Sequence, residues 1–319
     1  KNPELVIGVT GCMAQRMGDD LLKKAPHLNL VMGPDGYRTL PEALQALGGG
    51  GTPGPEVPSL PRANPSASGT GAPPSPDASR DLVQIQPPGK GAGRQLAALA
   101  LDPQENFEGL EIRRVSRVSA WVTIQRGCNH RCTFCIVPYV RGPEKNRDPH
   151  AVLEEVREVA DQGITEVTLL GQTVNSYRSG SWDFPRLLQA VARIPKIRRV
   201  RFTSPHPNDV TPELVRVMAE EEAVCPQLHL PLQAGNDRTL KRMLRRHTVR
   251  EFMEKVALVR DAIPHVALST DLIVAFPGET EQEFRETLAV VEEVRFDDAF
   301  TYRYSPRDGT PATRMPASD

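Results

Sequence analysis

The sequence lacks the marks of a membrane or secreted protein. No apolar run approaches the roughly 18 residues that a membrane-spanning helix needs, which excludes a spanning protein. The start of the chain shows no charged segment followed by an apolar core and a small-residue cleavage site, so a signal peptide is not visible. Because the chain begins at Lys1 rather than at Met, and directly in a strand-like run, we expect the true N-terminus to be missing from it.

The chain also has little net charge and few cysteines. The 39 Lys and Arg residues against 40 Asp and Glu residues give a formal net charge of −1, which excludes a globally basic nucleic-acid coat but not a local basic face. The five cysteines are odd in number and widely scattered, which argues against a disulfide framework. With 39% hydrophobic and 25% charged residues, the composition is that of a soluble globular protein in a reducing, cytoplasmic compartment.

Length and local composition divide the chain into segments. Its 319 residues allow about two domains. Residues 1–47 alternate two predicted strands with two predicted helices, an α/β fragment that is too short for a complete domain. Gly, Pro and Ser fill 20 of the 32 positions from 48 to 79, and such a segment cannot bury enough apolar surface to offset its conformational entropy. We therefore predict a disordered linker or long surface loop over 48–106.

The remainder, residues 107–319, alternates strands with helices in six units. Predicted strands cover 120–126, 166–170, 198–204, 227–233, 266–276 and 298–304. Short apolar strands of this kind fit a parallel sheet that helices cover. An eight-unit barrel takes about 250 residues, so six units in this shorter stretch predict an open, partial (βα)6 barrel of the α/β class. In such barrels the reactive groups lie at the C-terminal ends of the strands.

Three cysteines follow the first strand of this predicted barrel. Cys128, Cys132 and Cys135 form a Cys-x3-Cys-x2-Cys motif. A [4Fe–4S] cluster usually takes four thiolates, so three thiolates from one loop would leave one iron open to bind a substrate. A structural zinc site or a ferredoxin-like electron carrier would need a fourth ligand at matched spacing. His130 inside the loop offers poor geometry and Cys225 lies far along the chain, so the pattern favours the open cluster.

This motif, with the aromatic Phe134 before its last cysteine, resembles that of the radical S-adenosylmethionine superfamily. The resemblance implies that the methionine part of S-adenosylmethionine chelates the open iron. Electron transfer then cleaves the cofactor to a 5′-deoxyadenosyl radical, which abstracts hydrogen from an unactivated C–H bond. The usual fold of this superfamily is the partial six-unit barrel predicted above.

Further segments are similar to the methylthiotransferases within that superfamily, over essentially the whole chain outside the linker. They are residues 137–142, 169–177, 201–207, 228–235 and 270–280. Gln172 and the run 174–177 are most similar to the branch that adds a methylthio group to C2 of N6-isopentenyladenosine at position 37 of tRNA. Sister branches, which modify a ribosomal-protein aspartate or threonylcarbamoyl-adenosine in tRNA, are the alternative. The non-enzyme alternative is an RNA-binding module that contains a metal or an iron–sulfur cluster.

The resemblance implies a ligand set and a cofactor site, and it assigns no catalytic side chain. Cys128, Cys132 and Cys135 would hold the radical cluster. Cys12 matches the last of three cysteines that hold a second [4Fe–4S] cluster in the family's N-terminal methylthiotransferase domain, and the other two would precede Lys1. We expect residues 1–47 to be the C-terminal part of that domain. Predicted contacts of S-adenosylmethionine are Phe134, Gly171, Gln172, Ser204, Gln233 and Asp271.

The assignment of Asp271 leaves alternatives open, and two further residues have structural interpretations. Burial of Asp271 requires a partner, which either the cofactor or a structural pair provides. His229 is explained by hydrogen bonding in the core. Cys225 is interpreted as a structural or incidental thiol.

The resemblance also implies partners. They are the anticodon loop of tRNA and an external electron donor such as flavodoxin or ferredoxin, with no membrane contact and a monomeric chain. Six basic residues between 238 and 250 suit tRNA phosphates, although charge alone favours solvated helix faces and only the resemblance selects tRNA.

The chain departs from the family pattern in three places. Ala275 stands where a glycine is usual, the linker is longer than is typical, and the C-terminal RNA-binding barrel is expected to be absent.

Overall fold

A computed structural model describes residues 5–47, 83–85, 95–102, 105–110, 112 and 114–317. The chain divides into two compact units, Lys1–Asp102 and Pro103–Asp319, called here the N-terminal and C-terminal units. None of the helices in the described ranges combines the length and hydrophobicity that spanning a bilayer requires.

The N-terminal unit contains a four-stranded sheet in the order β1-β2-β4-β3. Strands β1, β2 and β4 are parallel, and β3 pairs antiparallel with β4. The strands are β1 (Gly8–Thr10), β2 (Leu30–Met32), β3 (Val83–Ile85) and β4 (Gln95–Ala98). The helices are α1 (Cys12–Met17), α2 (Asp19–Lys24) and α3 (Leu40–Ala46), with a 3-10 turn at Pro34–Thr39 before α3.

Two of these strands lie inside the predicted linker, and there the structure differs from the expectation. β4 inserts between β2 and β3, and its residues Leu96, Ala97 and Ala98 are buried. The buried side chain of Gln95 donates from Nε2 to the carbonyl of Leu28 at 3.0 Å. The Gly-, Pro- and Ser-rich run at 48–79 ends before β3, and a second Gly- and Pro-rich stretch, 86–94, precedes β4. Pairing with a distant strand supplies the order that this local composition does not predict. The remaining residues of 48–94 lie outside the described ranges.

The C-terminal unit has six parallel strands in two sheets, with the orders β11-β8-β5 and β12-β13-β14. Val200 of β11 forms a parallel bridge with Val224, just before β12, which joins the two sheets. The strands are β5 (Ser119–Thr123), β8 (Glu166–Leu170), β11 (Arg199–Phe202), β12 (Gln227–His229), β13 (Ala267–Val274) and β14 (Asp298–Arg303). The prediction of an α/β fold with six strand–helix units is confirmed.

Short strands and seven helices complete the described part of this unit. Two hairpins are formed by β6 (Gln125–Arg126) with β7 (Lys145–Asn146) and by β9 (Arg178–Ser179) with β10 (Trp182–Asp183). The helices are α4 (Val137–Arg141), α5 (Pro149–Asp161), α6 (Phe184–Ala192), α7 (Pro212–Glu220), α8 (Asp237–Arg242), α9 (Val249–Ala262) and α10 (Glu281–Val294).

Local sequence explains where the longer helices begin. Asp148 caps α5 by accepting from the amides of His150 and Ala151. Thr248 and Thr280 each start a helix with a capping box, in which a glutamate three residues later returns a bond to the cap. The apolar faces of these helices pack on the strands in one buried core, so the strand ends are held at fixed positions.

Candidate functional site

The three-cysteine loop runs between β6 and β7 and is fixed at its first residue by a close backbone approach. Gly127 has a φ of 71°, and a Cβ there would lie 2.0 Å from the carbonyl oxygen of Pro143. The adjacent amide of Cys128 donates to the carbonyl of Gly142 at 3.2 Å. Only glycine fits this position without moving the backbone, so Gly127 determines where the first cysteine lies.

Buried Thr133 fixes the middle of the loop. Its amide donates to the carbonyl of Met243 at 3.1 Å, and its hydroxyl donates to the carbonyl of Arg242 at 2.9 Å. Its own carbonyl accepts from the amide of Ala312 at 2.9 Å. Two distant segments of the chain, the end of α8 and the segment at Ala312, therefore hold the loop in one conformation.

The three thiols are free and lie close enough to affect one another electrostatically. Burial raises the pKa of the Cys128 thiol and raises that of Cys135 to about 11, and the neighbouring cysteines contribute to both shifts. The amide of His130 donates to Cys128 Sγ at 3.4 Å, and Arg245 Nη1 donates to Cys132 Sγ at 3.7 Å. Soft, buried sulfur ligands with hydrogen-bond donors on them are the surroundings that an iron–sulfur cluster takes.

Gly171 and Gln172 follow β8 at the C-terminal end of the strand. A Cβ on Gly171 would lie 2.9 Å from both Gln125 Oε1 and the Cα of Val174, so close packing requires glycine here. Gln125 Oε1 also accepts from the amide of Thr173 at 3.0 Å. Gln172 Oε1 is buried without a hydrogen-bond partner in the part of the chain that the structure describes. A buried acceptor of this kind fits a polar ligand that supplies the donor.

Strands β11, β12 and β13 are each followed by a residue in the left-handed region. Ser204, Gln233 and Ala275 have φ values of 57°, 70° and 54°. The left-handed conformation costs a residue other than glycine about 1–2 kcal/mol, and such strain concentrates at ligand sites. Gln233 is held in place because its amide donates to the carbonyl of Asp271 at 2.8 Å and its carbonyl accepts from Ile273 at 2.9 Å.

Asp271 points into a cavity of about 540 Å³ inside the partial barrel. Its Oδ2 lies 3.2 Å from His229 Nε2, and His229 Nδ1 lies 3.0 Å from the hydroxyl of Ser269. The structural partner that Asp271 requires is therefore His229, and both residues line the cavity rather than the closed core. Ser204 and the aromatic residues Trp121, Phe300 and Tyr302 line the same space.

Phe134 packs within the protein. Its ring meets Phe276 edge to face, with the ring centroids 6.4 Å apart, in a small cluster that also contains Met243. The predicted contact of Phe134 with the adenine of the cofactor stays a prediction.

Cys12 starts α1 directly after β1 in the N-terminal unit, and its role as a cluster ligand also stays a prediction. Cys225 precedes β12, and burial raises the pKa of its thiol.

Sequence reasoning missed a stack of histidines beside the cysteine loop. The rings of His130 and His206 stack with centroids 4.0 Å apart and an interplanar angle of 11°, and His247 meets His206 edge to face at 6.0 Å. Atoms of His130, His206 and Asp209 lie close enough to hold a metal ion. Parallel stacked rings do not aim their in-plane lone pairs at one point, so ring stacking accounts for this proximity. Burial and Arg245 lower the pKa of all three histidines.

Comparison with known sequences places the cysteine loop in a recognised domain. The profile of the Radical SAM superfamily matches residues 122–291. A Chlorobium chlorochromatii protein named tRNA-2-methylthio-N(6)-dimethylallyladenosine synthase is 41% identical over 317 residues, covering 99% of this chain and 62% of that protein. A protein of the same name from Thermobifida fusca is 42% identical over 318 residues, covering 98% of this chain and 56% of the relative. The chain thus spans somewhat over half the length of these curated relatives.

Comparison with solved structures gives the same fold. The cobalamin-dependent S-adenosylmethionine radical enzyme OxsB with aqua-cobalamin bound aligns with a TM-score of 0.61 at 12% identity, covering 96% of this chain and 41% of OxsB. The radical S-adenosylmethionine methyltransferase TsrM from Kitasatospora setae aligns with a TM-score of 0.51 at 17% identity, covering 60% of this chain and 38% of TsrM. At these identities the similarity concerns the fold alone.

The strained backbone at Ala275 generates a stability prediction. The substitution Ala275→Gly removes the strain of a left-handed alanine. That strain costs more free energy than the extra conformational entropy that glycine loses on folding, so the free energy of unfolding should rise by about 0.5–1 kcal/mol. Ala257→Gly, at an exposed position inside α9, is the matched control and should lower it by about 1 kcal/mol. Urea unfolding measures both; a loss of stability in Ala275→Gly would contradict the assignment of strain.

The buried histidine stack generates a pH prediction. Burial lowers the pKa of His247 from 6.5 to about 4, so below pH 6.5 the unfolded chain binds a proton that the folded chain does not. Stability should therefore be full above that pH and fall as the pH drops toward 4. Between about pH 7 and pH 5, the free energy of unfolding of the His247→Gln variant should fall by about 1–2 kcal/mol less than that of the unmodified chain. Urea unfolding at both pH values measures the difference; equal losses in the two proteins would disprove the role of His247.

Proposed function

Because the chain belongs to the radical SAM superfamily, we propose that it carries the catalytic core of a tRNA methylthiotransferase. The reaction adds a methylthio group to C2 of N6-isopentenyladenosine at position 37 of tRNA. The observation that carries this proposal is the similarity, at 41–42% identity over 98–99% of the chain, to proteins named tRNA-2-methylthio-N(6)-dimethylallyladenosine synthase. The sequence runs around Gln172 and Asn175 support the same branch.

Cys128, Cys132 and Cys135 would hold the radical cluster as thiolates. Their loop is fixed by Gly127 and Thr133, Cys128 and Cys132 are buried and Cys135 is half-buried, and three ligands leave one iron of a [4Fe–4S] cluster open to S-adenosylmethionine. When bound, the cluster supplies the electron that cleaves S-adenosylmethionine. The protein around the loop contributes rigidity, exclusion of water and the guanidinium of Arg245 near Cys132.

The ends of the strands provide the contacts for S-adenosylmethionine. We propose that Gln172 accepts a hydrogen bond from its ammonium group, since the buried Oε1 lacks a donor within the described ranges. Ser204 and Gln233 follow neighbouring strands on the same side of the barrel, where strained backbone aims polar groups at a ligand. Asp271, oriented by His229, faces the cavity that the cofactor or the substrate base would enter.

Two molecules of S-adenosylmethionine are used in this proposal. One donates a methyl group to the sulfur that is inserted, and the other is cleaved so that hydrogen is removed from C2 of the adenine. The substrate base must be accessible, which suits an unpaired nucleotide of the anticodon loop. Cys12 would supply one thiolate to a second [4Fe–4S] cluster that carries the inserted sulfur, and its further ligands would have to lie outside the described residues.

We further propose that the protein works in the cytoplasm as a monomer and receives electrons from an external donor such as flavodoxin or ferredoxin. The reducing conditions that free cysteines need support the cytoplasmic setting.

Cleavage of S-adenosylmethionine tests the cluster assignment. The chain, reconstituted anaerobically with iron and sulfide and reduced with dithionite, should release 5′-deoxyadenosine. Cys132→Ala should release only background amounts because one cluster ligand is lost. Cys225→Ala, a half-buried cysteine outside the loop, is the matched control and should retain the activity. Equal product from the two variants would exclude the three-cysteine loop as the site.

The mass added to the product tests which substrate the protein modifies. The full-length protein, incubated with S-adenosylmethionine and tRNA that bears N6-isopentenyladenosine, should add the mass of one methylthio group in place of hydrogen to that nucleoside. Unmodified tRNA is the control. Modification of threonylcarbamoyl-adenosine or of a ribosomal-protein aspartate instead would assign the protein to a sister branch.

A further inference from the structure

A groove of about 500 Å³ lies directly outside the cysteine loop. Arg131 from the loop and Lys241, Leu244, Arg245 and Arg246 from the end of α8 line it, and we call it the basic groove. Asp237, His247, Thr248 and Glu251 complete its lining. The mechanism proposed above uses Arg245 alone among these residues.

The basic groove contacts the cluster-binding loop itself. Arg245 reaches from the groove to Cys132 Sγ, 3.7 Å away, and its second nitrogen donates to the carbonyl of Pro231 at 3.1 Å. The backbone of Arg242 and Met243, at the end of α8, accepts both hydrogen bonds of Thr133. Only the side chain of Arg245 would therefore separate a molecule bound in the groove from the cluster ligand Cys132. Electron transfer weakens steeply with distance, so this is a short route to the site.

The groove carries an excess of positive charge that the chain does not neutralise. Within the described ranges Arg131, Lys241 and Arg246 have no carboxylate partner, whereas Arg193, Arg199 and Arg238 elsewhere on the surface are paired with glutamates. The two carboxylates of the groove have internal roles. Asp237 accepts from the amide of Val249 at 2.7 Å, and Glu251 accepts from the amide of Thr248 at 2.7 Å.

Leu244 places an apolar side chain among the charged residues of this surface. It is 52% exposed, and its φ is 54°. Glycine would suit this backbone better, so a leucine here does not serve the stability of the fold. An apolar centre inside a charged rim is typical of a protein interface, whereas a site for nucleic-acid phosphates takes cations and hydrogen-bond donors.

We propose that the basic groove docks an acidic protein that carries one electron and delivers it to the cluster beside Cys132. The inference rests on the proposed function, because it needs a cluster at the three cysteines. In the delivery step the reduced carrier loses one electron and the cluster gains it, with no atom transferred. Negative side chains of the carrier would meet Arg131, Lys241 and Arg246, and an apolar residue of the carrier would cover Leu244.

Binding of a purified acidic flavodoxin to the reconstituted chain tests the proposal. Lys241→Glu and Arg246→Glu should each raise Kd by about tenfold at low ionic strength. Leu244→Gly should raise Kd severalfold while keeping or increasing thermal stability, because glycine accepts the left-handed backbone. Arg198→Glu is the matched control: Arg198 is exposed next to the N-terminal end of β11, away from the strand ends that carry the site, and its reversal should leave Kd unchanged.

A second readout separates this inference from the proposed function. Cleavage of S-adenosylmethionine driven by reduced flavodoxin should slow in the three groove variants, whereas cleavage driven by dithionite should stay at the level of the unmodified chain. If neither reductant gives cleavage, the proposed function is wrong, and the docking inference then depends on the binding measurements alone. An unchanged Kd for flavodoxin in the charge-reversal variants would overturn the inference, and a selective loss of tRNA affinity in them would assign the groove to RNA.

Discussion

The site depends on a single constraint, the attachment of the three-cysteine loop to its own far end and to two distant parts of the C-terminal unit. Gly127 packs against the backbone at Pro143, and Thr133 is bonded to the end of α8 and to Ala312. Ligands held in place before the metal arrives bind it more tightly, because a flexible loop would lose conformational entropy on binding. Because the loop is tied to α8, the surface that surrounds α8 becomes part of the environment of the cluster.

The rest of the site follows from the parallel strands. Consecutive strands end at one side of the barrel, and there Ser204, Gln233 and Ala275 adopt strained left-handed conformations that the surrounding hydrogen bonds maintain. The strain is offset by the large buried core beneath the strands. Below these ends the His229–Asp271 pair and three aromatic side chains leave the interior of the barrel partly open, which provides room for a cofactor and a base.

Much of this was predictable from sequence because its signals are local. The spacing of Cys128, Cys132 and Cys135 and the alternation of apolar strands with capped helices both act over a few residues. The strands at 83–85 and 95–98 were missed because their pairing partners are distant and a Gly-, Pro- and Ser-rich segment precedes them. The stacking of His130 on His206, the pairing of Asp271 with His229 and the exposure of Leu244 arise only when separate elements meet.

The central claim is that the three thiols of the loop hold a [4Fe–4S] cluster with one iron open to S-adenosylmethionine. Electron paramagnetic resonance of the reduced, reconstituted chain, recorded without and with S-adenosylmethionine, tests it most directly. The account predicts the spectrum of a reduced [4Fe–4S] cluster whose g values shift when S-adenosylmethionine is added, because the molecule binds the open iron. A fully loaded cluster whose spectrum does not respond to S-adenosylmethionine would contradict the account.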